Sequence, residues 1–286
     1  MVGGDGLIGS RLADWAGRVD AELLFTTRRR SARVGRLFAD LANDRVEEIA
    51  SAGANVVLFC AAMTNLRACE NEPELSYRIN VSATVGLAER LVEQGCFVVF
   101  LSSNAVFDGR TAWPQEQHAH SPTCEYGRQK ASTERLLMGL PGAADHVAVV
   151  RLSKVLSPGA GMVAEFLRRL RARERCKAFE DLKISPISLR YVADALSKIA
   201  SRRLPGIFHL SGAEELSYAQ FAFKLAERLG AGAELIQQVC SVREGMDVVF
   251  RPTHPGLGMR RTRSLLGIDS ESLDELLLEF SLDRGL

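Results

Sequence analysis

Residues 1–16 read "MVGGDGLIGSRLADWA", with Gly3, Gly6 and Gly9 spaced G-x-x-G-x-x-G directly before Leu7, Ile8, Leu12 and Trp15 at helical spacing. Glycines let a backbone turn tightly and approach a pyrophosphate, which then meets the positive end of the following helix. Such a turn normally hangs from the carboxyl end of a buried strand, and here only Met1 and Val2 precede it. Either the glycines are a coincidence or the chain begins within its own fold. The rest of the sequence decides.

Short apolar runs alternate with amphipathic stretches along the first two thirds of the chain. "ELLFTT" (22–27), "NVVLFC" (55–60), "CFVVFLS" (96–102), "HVAVVRL" (146–152) and "GIFHL" (206–210) read as buried strands. Helical patterns cover 7–18, 44–52, 72–94, 125–140 and 188–203. Continuous apolar strands alternating with helices predict a doubly wound α/β fold, a parallel Rossmann sheet covered on both faces. The alternation breaks after "VVRLS". Residues 1–152 with 188–210 are therefore expected to form the Rossmann domain. Residues 153–187 with 211–286 are expected to form a smaller, mainly helical substrate domain.

The first strand is expected to be truncated. A central strand lost upstream of Gly3 would remove about three aliphatic side chains, at roughly 1.5–3 kcal/mol each. It would also strip backbone partners from two neighbours. On that reasoning Met1 is not the natural start.

Composition is that of an ordinary globular protein: 286 residues, 47% hydrophobic and 25% charged. With 36 basic against 35 acidic residues, nothing favours nucleic acid or a membrane surface. Six scattered cysteines without a C-x-x-C pair, and no signal peptide, suggest a reducing cytoplasm. The five histidines show no metal-ligand spacing, and His118, His120, His209 and His254 read as structural or solvated.

The second strand ends in Arg28, Arg29 and Arg30, with no acid. An acidic residue there would take the ribose 2′-hydroxyl of NAD, whereas arginine accommodates a 2′-phosphate. Arg28 and Arg29 thus point to NADP, although a solvated loop would look the same. Downstream, "LSSNAVFDG" (101–109) closes a strand at the sheet's carboxyl edge, and "EYGRQKASTERLL" (125–137) opens a helix. Tyr126 and Lys130 share one face of that helix. There the ammonium is expected to lower the phenol's pKa, while a serine at the neighbouring strand end holds the same substrate oxygen.

The ordered set of glycine turn, double serine and Tyr-x-x-x-Lys resembles the extended short-chain dehydrogenase/reductases, in particular the dTDP-4-dehydrorhamnose reductase group. The resemblance implies hydride transfer between NADP and a carbon of a keto-sugar nucleotide. It implies Tyr126 as acid/base, Ser103 as carbonyl anchor and Lys130 as the tuner of Tyr126. It places Gly3, Gly6, Leu7, Ile8, Arg28, Arg29, Asp40, Leu41, Ala61, Ala62 and Thr64 around the cofactor, with Asn80 in the following helix. Asn104, Ser153 and Arg251 are the expected substrate contacts, and a homodimer is the oligomer considered.

The substrate side departs from the family pattern. Asn104 and Ala105 stand for Asp and Tyr, Lys154 for Trp, Leu182 for Gln and Ile184 for Gly. The basic run of residues 168–177 reads either as a solvated helix face or, with Arg251, as a diphosphate contact. Two alternatives therefore stay open: a sugar-nucleotide epimerase or dehydratase, and a catalytically silent NADP-binding regulatory protein.

Overall fold

The computed structural model describes residues 1–16, 22–28, 36–43 and 46–282. The strands, in chain order, begin with β1 (Phe25–Thr27), β2 (Arg36–Phe38), β3 (Val56–Phe59), β4 (Phe97–Ser103) and β5 (Val147–Leu152). They continue as β6 (Lys154–Leu156), β7 (Cys176–Phe179), β8 (Lys183–Ile184), β9 (Pro186–Ser188), β10 (Gly206–Leu210), β11 (Leu216–Ser217) and β12 (Ile236–Val239). The helices of the first half are α1 (Leu7–Ala16), α2 (Glu47–Ala50), α3 (Leu66–Asn71), α4 (Pro73–Tyr77), α5 (Thr84–Glu93) and α6 (Glu125–Met138). Then come α7 (Ala143–His146), α8 (Gly161–Arg171), α9 (Leu189–Arg202), α10 (Tyr218–Arg228), α11 (Arg260–Leu266) and α12 (Leu273–Leu282).

The chain divides into two compact units. The first comprises residues 1–107, 119–151 and 192–208. Its sheet runs β10-β5-β4-β3, with β3 and β4 parallel from Val56↔Phe97 to Phe59↔Phe100. Residues 1–4 take the next place. The Val2 N–H donates to Leu58 O and Val2 O accepts from Cys60 N; on the other side Met1 O accepts from Thr26 N, and Gly4 N donates to Thr26 O. Then follow β1 and β2, paired in parallel. This is the doubly wound order expected. The two neighbours of the opening residues are bonded to them rather than left bare, because Met1 and Val2 already lie extended between β1 and β3.

Every residue of β5 is buried, as are six of the seven in β4. Val57, Phe59, Val98, Phe100, Val147 and Val149 form the core with Leu87 and Leu91 of α5 and Leu137 of α6. Between α4 and α5 the backbone loosens into a π-helical segment, Arg78–Ala83, which holds Asn80. Such bulges recur at functional sites.

The second unit comprises residues 108–118, 152–191 and 209–286. It takes in 108–118, which the sequence left with the sheet. His254 N donates to Gly109 O, Gly258 N donates to Pro114 O, and Arg261 N and Thr262 N both donate to Glu116 Oε1. It also carries more strand than expected: β6 pairs with β9 and β7 with β12 in parallel, and β8 with β11 antiparallel. Strands of two to four residues are too short to show a periodicity. The core here is Phe166, Phe221, Leu276 and Phe280, with the Phe221 and Phe280 rings edge to face at 6.3 Å. No helix among the described residues is long and apolar enough to cross a membrane.

Candidate active site

The glycine turn is built from backbone approach. Gly3 has a φ of +91°, and a Cβ there would meet Ala61 N at 2.6 Å. A Cβ on Gly9 would stand 2.1 Å from Gly3 O. Only glycine closes this turn so tightly, and α1 begins immediately after it, with first-turn N–H groups lacking partners within the helix. Beside the turn lies a cleft of about 450 Å³, whose lining includes Gly3, Gly6, Arg28, Asp40, Leu41, Ala61 and Ala62. Asp40 accepts from Ala42 N and Asn43 Nδ2, fixing the short turn that buries Leu41 in the cleft wall.

Three other expected residues lie outside the lining itself. Thr64 is exposed and not among the residues lining the cleft. Leu7 and Ile8 open α1 directly after the cleft-lining Gly6, with their side chains outside that lining. Arg29 lies outside the described residues. Thr64 follows Met63, the last loop residue held by Asn80, so its side chain turns away to solvent. Asn80 accepts from Met63 N at 2.8 Å and donates to Met63 O at 3.1 Å through its side-chain amide. A second buried amide, Gln129 of α6, accepts from Asn80 Nδ2 at 2.8 Å and donates to Ser76 Oγ at 2.8 Å.

Ser103, Tyr126 and Lys130 all belong to the first unit. Ser103 ends β4, where its Oγ accepts from Ala105 N at 3.2 Å and donates to Asn104 Oδ1 at 3.3 Å. Two contacts bring α6 to that strand end. Gly127 lets the helix touch the turn of residues 104–106, where a Cβ would stand 2.1 Å from Ala105 O. The Lys130 Nζ donates to Leu101 O at 2.8 Å and sits 4.4 Å from the centre of the Phe100 ring. Neither Gly127 nor Gln129 was singled out in the sequence; the glycine beside Tyr126 was the signal available.

The electrostatics differ from the sequence expectation. Burial pushes the Tyr126 phenol above its usual range, with Cys69 and Cys124 adding to the rise. Burial also pulls the Lys130 ammonium down to about 8, against the opposing influence of Glu134, Cys60 and Cys69. Lys130 is committed to the Leu101 carbonyl and stands 5.7 Å from the Tyr126 ring centre. Burial sets the direction, so the phenol is raised rather than lowered.

In the second unit, Ser153 is buried and its Oγ has no hydrogen-bond partner among the described residues. Arg251 donates to Asp181 at 3.2 Å. In the basic run, Arg168 and Arg169 pair with Glu165, Arg171 donates to Phe280 O, and Lys177 pairs with Glu244. Arg168, Arg169 and Arg171 lie on α8 and Lys177 on β7, so the run spans two elements. No group of three or more His, Cys, Asp or Glu residues suited to a metal occurs among the described residues.

The family model described as the RmlD substrate binding domain matches residues 1–281. The chain belongs to that family, within the dTDP-4-dehydrorhamnose reductase-like branch of the extended short-chain dehydrogenase/reductases. A dTDP-4-dehydrorhamnose reductase of Sinorhizobium fredii is 31% identical over 200 residues, 66% of this chain and 67% of the relative. A hypothetical dTDP-4-dehydrorhamnose reductase from Sulfolobus tokodaii superposes with a TM-score of 0.81 at 26% identity, covering 96% of this chain and 97% of that one. The enzyme of that name from Bacillus anthracis, solved in complex with NADP, has a TM-score of 0.81 at 22% identity, over 99% and 98% of the two chains.

Proposed function

We propose that the chain is an NADPH-dependent reductase of a keto-sugar nucleotide, acting as the relatives named dTDP-4-dehydrorhamnose reductase are named to act. The observation that carries this reading is the meeting of Tyr126 and Lys130 on α6 with the Ser103 end of β4, through the Lys130–Leu101 hydrogen bond and the Gly127–Ala105 approach.

The cleft residues fit a dinucleotide. The glycine turn and the start of α1 suit a pyrophosphate, Leu41 and Ala61 an adenine, and Arg28 a 2′-phosphate. The NADP in the Bacillus anthracis relative supports the choice of the phosphorylated cofactor. When bound, NADPH supplies the hydride. Tyr126, held protonated by burial at neutral pH, is suited to give its proton to the carbonyl oxygen, the direction a reductase needs. The Ser103 hydroxyl, whose present hydrogen bonds are long, is free to turn and donate to the same oxygen. Lys130 keeps the strand end and helix in register and places positive charge beside the phenol.

The test is calorimetric binding of NADPH and NADH, followed by NADPH oxidation with dTDP-4-dehydrorhamnose. Tight NADPH binding, turnover, and a loss of about 10²-fold or more in Tyr126→Phe with binding retained are expected. Binding without turnover would assign the chain to the silent NADP-binding reading. Binding of neither cofactor would overturn the reductase reading altogether.

A further inference from the structure

Next to the candidate site a second charged group is almost wholly buried. Glu134 lies one turn beyond Lys130 on α6, and Arg151 lies on β5; both side chains are 1% exposed. Arg151 donates to Glu134 through Nε, at 3.0 and 3.1 Å, and through Nη2, at 2.7 Å. The Ser102 hydroxyl donates to the same carboxylate. His120 Nε2 stands 2.9 Å from Glu134 Oε2 and 2.7 Å from Arg151 Nη2. The Arg151 guanidinium also lies 5.1 Å from the centre of the Phe107 ring.

We propose that Glu134 is a positioning residue for the reduction: with Lys130 it locks the end of β4 in register with α6, and its charge faces the Lys130 ammonium, while Arg151 and His120 hold it in place. The assignment rests on the reductase reading. Its geometric basis is a two-point ladder. Consecutive strand residues Leu101 and Ser102 are held by side chains one helical turn apart, Lys130 and Glu134. The next residue along β4 is Ser103. Side chains alternate along a strand, so fixing Ser102 from one face fixes the direction in which Ser103 leaves the other. An Arg–Glu pair alone would tie β5 to α6. It would not explain why the carboxylate also takes the hydroxyl that precedes the carbonyl anchor.

The charge has its own consequence. Facing Lys130 are Glu134 on the same helix, Cys60 after β3, Cys69 on α3, and the rings of Phe100 and Tyr126. Among these, only the carboxylate carries a full negative charge at neutral pH. Facing Glu134 are Arg151, His120 and Ser102. Burial works against the ammonium and Glu134 works for it, so removing the carboxylate leaves Lys130 easier to deprotonate.

The experiment titrates Lys130 directly, by NMR of protein carrying 13Cε-lysine, with Lys130→Met to assign the signal, in the presence and absence of NADPH. In Glu134→Gln the midpoint is expected to fall by about one pH unit, with the alkaline limb of kcat moving by the same amount and KM for the keto-sugar nucleotide held within about threefold. A folded Glu134→Gln protein that melts earlier but keeps the wild-type midpoint and pH profile would overturn the assignment, leaving Glu134 merely structural. Should Glu134→Gln not fold, the Glu134→Gln/Arg151→Gln pair, which removes both halves of the ion pair, carries an expectation of the same sign and smaller size, because loss of the guanidinium charge opposes loss of the carboxylate. An unchanged midpoint there overturns the assignment. A shifted midpoint in a chain that shows no turnover would keep the charge coupling and overturn the reductase reading alone.

Discussion

The Lys130 ammonium and the Leu101 carbonyl oxygen stand 2.8 Å apart, a charged side chain satisfied by the backbone of the strand that ends at Ser103. Burial holds this ammonium near 8 rather than at its ordinary 10.5. Keeping it charged in the folded protein therefore costs stability.

Lys130→Met should accordingly stabilise the fold while abolishing turnover. Between about pH 8 and 10.5 the unfolded chain holds a proton at Lys130 that the folded chain has lost, so this residue makes wild-type stability rise with pH across that window. At pH 7 the methionine variant should gain about 1–3 kcal/mol, less than the full shift because the Leu101 hydrogen bond goes with it. Urea unfolding at pH 7 and pH 10.5 checks this: the gain should shrink at the higher pH.

Glu134 acts with the opposite sign. Burial would push its carboxyl up, but hydrogen bonds from His120, Arg151 and Ser102 and the arginine's charge hold it at about 2. Its contribution is present above its ordinary 4.5 and lost as pH falls from there towards 2. Glu134→Gln should cost about 3 kcal/mol at pH 6, and the gap to wild type should close by pH 2, as followed by denaturant titration.

The glycine turn makes a sharper steric prediction. Gly9→Ala places a methyl 2.1 Å from Gly3 O and should destabilise the first unit by about 2 kcal/mol or more while removing NADPH binding. Gly86→Ala in α5 meets nothing within 4 Å and should instead stabilise by about 0.5–1 kcal/mol. Thermal melts and calorimetry on the two variants separate the outcomes.

In the second unit, Glu271 is buried and accepts from both the N–H and the hydroxyl of Ser188, ahead of α9. Burial is the larger influence and raises its carboxyl to about 7. Between its ordinary 4.5 and about 7 the folded chain holds the extra proton, so stability falls as pH rises through that window. Glu271→Gln should be more stable than wild type by about 1–3 kcal/mol at pH 8 and equal to it at pH 4.5, by denaturant unfolding at each pH.

The doubly wound sheet was legible because "NVVLFC", "CFVVFLS" and "HVAVVRL" are continuous apolar runs, a pattern that local sequence carries in full. Ser103, Tyr126 and Lys130 were legible as an ordered set with characteristic spacing. Other features depend on partners far along the chain. Glu134 meets Arg151 seventeen residues later, and Glu116 meets Thr262 across 146, and neither separation leaves a local signal. The sign of the Tyr126 shift was missed for a related reason. Helical spacing places the lysine near the phenol, but how deeply both are buried is a property of the assembled layers.

The side chain of Asn80 offers the backbone of Met63 an acceptor and a donor together, as a neighbouring strand would. In hydrogen exchange, Met63 should therefore behave unlike a loop residue. Its amide proton is held by a side chain that is 1% exposed and itself fastened to Gln129, so release requires the π-helical segment to open. A stretch without secondary structure of its own thus borrows the protection of a sheet, and the cleft beside the glycine turn gains a wall that will not breathe until the helices behind it do.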